Sequence, residues 1–116
     1  MKIMKATHDV VKTEIESGSL GGKYCKDVTG NIYYIVGVTV TDEDFYWVGI
    51  NHKRQICFLP CIGILEPVDT GSIDFSMLNY LIKHEPLTIA NDVKRYISSI
   101  GRDALISKIN VNGVLY

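Results

Sequence analysis

Residues 32–59 read IYYIVGVTVTDEDFYWVGINHKRQICFL, and they decide the fold. Three runs rich in Val, Ile, Tyr, Phe, Trp and Thr, at Ile32–Val40, Phe45–Ile50 and Gln55–Leu59, are separated by the polar connections TDED and NHKR. Those residue types fit a pleated, packed surface. Connections of about four residues suit antiparallel hairpins and are too short for a parallel crossover. The stretch predicts a three-stranded antiparallel meander.

Strand alternation places Ile32, Tyr34, Val36, Val38 and Val40 on one side of the first strand, with Tyr33, Ile35, Gly37 and Thr39 on the other. In the second strand Phe45, Trp47 and Gly49 oppose Tyr46, Val48 and Ile50. A face bathed in water would carry polar residues. Both faces therefore need cover. Helices of the chain can supply one; a curled sheet, a second subunit or a ligand can supply the other.

The chain has 116 residues, enough for one domain whose core needs no metal or disulfide staple. A formal net charge of −1 argues against non-specific binding to nucleic acid or to an anionic membrane, both of which want a basic surface. The longest apolar run, Ile32–Val38, is too short to span a bilayer. The first thirty residues hold no apolar core of a secretory signal. Cys25, Cys57 and Cys61 are odd in number and lack a CxxC spacing, so they read as free thiols in a reducing cytoplasm.

Upstream of the meander, residues 7–17 suit a helix capped by Thr7, followed by the glycine-rich break SGSLGG. Lys23–Val28 reads as a short edge strand whose lysines protect the edge, and Thr29-Gly30-Asn31 as the turn into the long strand. Downstream, Pro60 and Pro67 fit poorly inside a central strand, and Ile62–Leu65 suits a short fifth strand. An SH3-like barrel therefore stays open as a topology.

From Ser72 the period becomes helical. Phe75, Leu78, Leu81 and Ile82 share a face that Pro86 ends. A second helix is expected with Thr88 as cap and Ile89, Val93, Tyr96, Ile97 and Ile100 as its apolar stripe, with Asn91, Lys94, Arg95 and Ser98 opposite. After a break at Gly101, Asp103–Ile106 can add a turn. Lys108–Tyr116 carries an Asn112-Gly113 hairpin signal, in a tail that either adds a strand or docks on a partner. The expected class is α+β in a single domain, 1–116. Residues 1–67 are mainly β with an N-terminal helix, a meander of four to five strands; residues 72–116 are mainly helical with a β tail.

Catalytic chemistry finds little support. His8, His52 and His84 sit on separate elements, and neither a nucleophile elbow nor a Walker-type phosphate loop is present. No catalytic residue, metal ligand or cofactor is assigned, and Asp42-Glu43-Asp44 reads as a solvated hairpin tip. Binding is better supported. Tyr33, Tyr34, Phe45, Tyr46, Trp47 and Phe58 gather ring area suited to stacking on a base. Lys53, Arg54, Lys94, Arg95 and Arg102 offer cations that can pair with phosphate, and the amides of Ile89, Ala90 and Asn91 offer a helix N-terminal anion site.

The β-rich first half, the helical second half, the aromatic strands and the Asn91…Arg102-Asp103 pattern resemble the phage anti-Thoeris sponge proteins. The resemblance implies a small homo-oligomer in the bacterial host cytoplasm; the two-sided apolar pattern of Phe45–Ile50 and the apolar tail Val111–Tyr116 point to a dimer or a multiple of one. It would bind a cyclic ADP-ribose isomer without cleaving it and so block anti-phage defence. It also implies pocket roles for Phe75, Asn91, Arg102 and Asp103, with Arg54 serving a further nucleotide site. The alternative is an SH3-like or Tudor-like barrel module binding a peptide or nucleic acid.

Overall fold

A computed structural model of the chain describes residues 4–5, 21–40, 45–60, 64–99 and 109–116. Its six-stranded antiparallel sheet comprises β1 (Met4–Lys5), β2 (Lys23–Lys26), β3 (Ile32–Val40), β4 (Phe45–Ile50), β5 (Ile56–Pro60) and β6 (Ile64–Pro67). The spatial order is β1-β6-β2-β3-β4-β5. Helices α1 (Ser76–His84) and α2 (Pro86–Ser99) follow, and then the hairpin of β7 (Asn110–Val111) and β8 (Val114–Leu115). The α+β class and the meander hold. The proposed N-terminal helix, the Asp42-Glu43-Asp44 tip, Cys61, Arg102 and Asp103 lie outside the described residues.

The four peptide steps from Pro60 to Ile64 reach at most about 14 Å. In a flat sheet the four strand spacings between β5 and β6 would measure about 19 Å. The sheet is therefore curled. Among the described residues its edge strands β1 and β5 do not pair, so the sheet is open there and not closed into a barrel. A register shift between Ile35 and Gly37 marks a β-bulge at Val36, which bends the strand.

That bulge changes the expected faces. Ahead of it, Tyr34 pairs with Ile50; beyond it, Gly37 pairs with Val48 and Val38 with Trp47. Paired residues point the same way, so Val38 moves to the face opposite Tyr34 and Val36. One face joins the helices in a single cluster of Tyr34, Val36, Val48, Ile50, Leu78, Ile82, Ile89, Val93 and Ile97. On the other face Cys25, Ile35, Val38 and Trp47 are at most 2% exposed. Both faces are covered, as the pattern requires, and Trp47 needs no second subunit to bury it.

Two further expectations are corrected, those for β2 and Pro86, while the prolines keep to strand ends. β2 is not an edge, because β6 returns to pair with it on the side away from β3. The prolines do sit in strands, but as the last residues of β5 and β6, where a missing donor interrupts the ladder least. Pro86 opens α2 instead of merely closing α1, since proline is pre-set for the first helical position. Thr88 is thus inside the helix. The amides of Ala90 and Asn91 fall within its i→i−4 ladder and are not free for an anion.

The tail forms its own hairpin. Asn112 and Gly113 both take positive φ, 55° and 81°, as the two-residue turn demands. Ile109 and Tyr116 exchange two backbone hydrogen bonds at its base.

Candidate functional site

Two hairpin tips of the sheet are built alike. In the first, the Asn31 carbonyl accepts the Asp27 N–H, and the Asp27 carbonyl accepts the Gly30 N–H. Asp27 Oδ1 also accepts from Thr29 N, Thr29 Oγ1 and Asn31 N at 2.7–3.0 Å. In the second, Asn51 N–H donates to the Gln55 carbonyl and Arg54 N–H to the Asn51 carbonyl. Asn51 Oδ1 accepts from Lys53 N at 3.0 Å and Gln55 N at 2.9 Å, and its Nδ2 donates to Gln55 Oε1. Each is a turn closed by a left-handed residue of the kind glycine supplies without steric cost. The first uses Gly30, at φ 89°; the second uses Arg54, at φ 62°.

Arg54 lines a cavity of about 400 Å³. Ile50, Leu78, Ile89 and Val93 give it an apolar floor drawn from β4, α1 and α2. Asp92, Arg95, Tyr96 and Ser99, at i, i+3, i+4 and i+7 along α2, form the facing wall. Arg95 lies 3.6 Å from Asp92, in an exposed pair worth little. Arg54 makes no ion pair among the described residues, so it keeps its full charge for a ligand. Tyr96, 41% exposed, packs edge-on against Phe58 (centroids 5.7 Å apart), and Phe58 stacks on Tyr46 at 6.0 Å. An aromatic row thus runs from the sheet to the cavity wall.

The lining supplies two guanidinium groups, one carboxylate, a phenol ring and the Ser99 hydroxyl, which donates to the Tyr96 carbonyl at 2.7 Å. Among the described residues neither histidine nor cysteine lines it. That set suits recognition of an anion joined to an apolar or planar group.

The expected residues are only partly gathered here. Arg54 lines the cavity. Phe75 is 2% exposed, wedged edge-on against Tyr24 and His52, and serves as core under the start of α1. Asn91 is exposed on α2 and lines neither this cavity nor the one described below. Tyr96, expected in the buried stripe, sits at its margin. Asp92 and Ser99 were missed, although their three- and four-residue spacing from Arg95 and Tyr96 carried the signal.

A second concavity, about 640 Å³, opens on the other side of α1 among Tyr24, Tyr34, Ser76, Asn79, Tyr80, Lys83 and their neighbours. Among the described residues, no group of three His, Cys, Asp or Glu side chains is placed to hold a metal. No helix of the described residues is long and apolar enough to cross a membrane. Compared with protein-family models, curated proteins and solved structures, the chain matches none.

Proposed function

We propose that this protein binds a small phosphate-bearing nucleotide reversibly, in the cavity between Arg54 and α2. The observation that carries the reading is the backbone of Arg54. A long, branched-free but β-carbon-bearing side chain in the left-handed region costs about 1–2 kcal/mol relative to glycine. The neighbouring tip solves the same geometry with Gly30, so the turn itself does not call for arginine. A guanidinium there, without an acidic partner and beside an apolar floor, suits a phosphate, and Tyr96 suits the attached ring.

In its fullest form the reading is sequestration. A cyclic nucleotide such as a cyclic ADP-ribose isomer is held intact, out of reach of a bacterial anti-phage effector. A homo-oligomer belongs to the same proposal. It rests on the exposed Val114 and Leu115 of the tail and on Met77 of α1, since β4 is covered within one chain. The curled sheet favours a second reading, a peptide-binding module.

The test incubates the protein with cyclic and linear nucleotides, filters the mixture, and analyses the filtrate before and after heat denaturation. Depletion followed by recovery of the same nucleotide is expected. Recovery of a linear product from a cyclic one would make the protein an enzyme. No depletion of any nucleotide would sink the proposal and favour the peptide module.

A further inference from the structure

The second concavity is separate from the Arg54 cavity, and its walls have a different chemistry. Ser76, Asn79, Tyr80 and Lys83 occupy i, i+3, i+4 and i+7 of α1, one continuous face. Tyr24 and Tyr34, register partners on β2 and β3, stand opposite, with Gly22 and Asn112 at the ends. The volume of about 640 Å³ is that of a small-molecule site. Among the described residues no carboxylate lines it.

Hydrogen-bond accounting shows what the site lacks. The Tyr24 hydroxyl donates to Asn79 Oδ1, which leaves the two Nδ2 protons of this exposed amide for solvent or a ligand. Burial, reinforced by Tyr34, pushes the Tyr24 phenol up to about 12, which keeps that proton in place. The Tyr34 oxygen accepts the Asn112 N–H at 2.9 Å, and burial raises its phenol too. Tyr34 is only 3% exposed, yet its own O–H proton has no acceptor among the described residues. Lys83 makes no ion pair among them either. Of these donors only the Tyr34 hydroxyl is buried, where an unmet O–H proton favours an acceptor; Asn79 and Lys83 are exposed and reach the concavity from its rim. Here several donors and one full positive charge converge on one space. The Tyr80 ring, 58% exposed and tilted against His84 at 4.7 Å, offers a flat wall beside them.

We propose that this concavity is a second ligand site, taking a phosphate monoester carried on a sugar or nucleoside ring. Tyr34, Asn79 and Lys83 would donate to the phosphate oxygens, and Tyr80 would stack on the ring. The site requires nothing of the Arg54 cavity and stands or falls separately from it.

The test titrates the full chain with AMP, ribose 5-phosphate and inorganic phosphate, following backbone amide signals by NMR. Saturable shifts of Asn79, Tyr80, Lys83 and Asn112 are expected. Ribose 5-phosphate and AMP binding alike would identify a sugar phosphate; AMP binding alone would identify a nucleotide. Tyr34→Phe and Lys83→Gln should each weaken binding about tenfold or more, the scale of one hydrogen bond to a charged group. Lys83 is exposed, so its replacement tests the site even if Tyr34→Phe loosens the Asn112 turn. No shift with any probe overturns the proposal, as does binding that both variants leave unchanged. Shifts confined to Arg54, Arg95 and Tyr96 also overturn it, while supporting the first cavity.

Discussion

The tips at Asp27–Asn31 and Asn51–Gln55 share one backbone and differ in what stands at the left-handed residue. Gly30 meets no other atom within 4 Å of where a β-carbon would sit, so nothing but the φ angle restricts that position. The same conformation is imposed on Arg54 by the same pair of backbone hydrogen bonds and by the side chain of Asn51, three residues earlier. One tip takes the low-strain residue and lines neither of the two cavities. The other accepts strain and places a guanidinium in a cavity wall. Strain of this kind persists where the surroundings over-determine it, and it concentrates at functional sites.

The largest effect should come from Arg54→Gly. Ligand affinity is expected to fall by about 1.5–3 kcal/mol, the scale of a hydrogen bond between charged groups. Stability should stay level or rise by up to about 1 kcal/mol, because relief of the left-handed strain outweighs the extra freedom glycine brings to the unfolded chain. Calorimetric titration and chemical denaturation on one preparation read both numbers. A variant that binds normally, or one that loses stability, would break the comparison.

Next come the anchors. Asn51→Ala removes three hydrogen bonds from its tip and Asp27→Ala removes three from the other. Both side chains are half-buried and their bonds are solvent-accessible, so a loss of about 1–2 kcal/mol is expected, less than three full bonds would suggest. Only Asn51→Ala should also weaken nucleotide binding, since only its tip carries Arg54 to the cavity. Equal effects on binding would show that the tip's conformation does not position the guanidinium. Gly30→Ala should cost about 1 kcal/mol and leave binding untouched.

Much of this architecture was legible in the residues. The three meander strands, the apolar faces of both helices and the Asn112-Gly113 turn depend on local period and turn chemistry, which a sequence displays. The strand order did not, because β6 reaches β2 only through a curl that no local pattern encodes. The bulge at Val36 was hidden because Ile35, Val36 and Gly37 can be buried in either phase. At the site, Arg54 was visible as a basic group on a hairpin tip. Its backbone was not, since NHKR lacks the glycine that normally announces a left-handed residue. The one clue was the parallel spacing of Asp27-Val28-Thr29-Gly30 and Asn51-His52-Lys53-Arg54. Tyr96 was misplaced because a helical stripe does not say where a floor ends and a wall begins.

The smallest expected effect uses a third Asx side chain as a control on the other two. Asp74 precedes α1, and its Oδ1 accepts the Ser76 N–H at 2.9 Å. Hydrogen bonds from the Ser76 side chain and backbone hold its carboxyl below the usual value of 3.8. A carboxyl with a depressed folded pKa contributes stability above its unfolded pKa and loses it as pH falls through the folded one. The contribution of Asp74 should therefore be complete at neutral pH and fade below about pH 4. Asp74 is fully exposed, so the effect is small. Asp74→Asn keeps an oxygen for Ser76 but cannot titrate, as Asn51 cannot at its own tip. Denaturation of wild type and Asp74→Asn between pH 7 and pH 3 should give curves that converge in acid. Curves that stay parallel would mean the carboxylate charge adds nothing to what an amide oxygen supplies, and that Asn51 and Asp27 are interchangeable in kind.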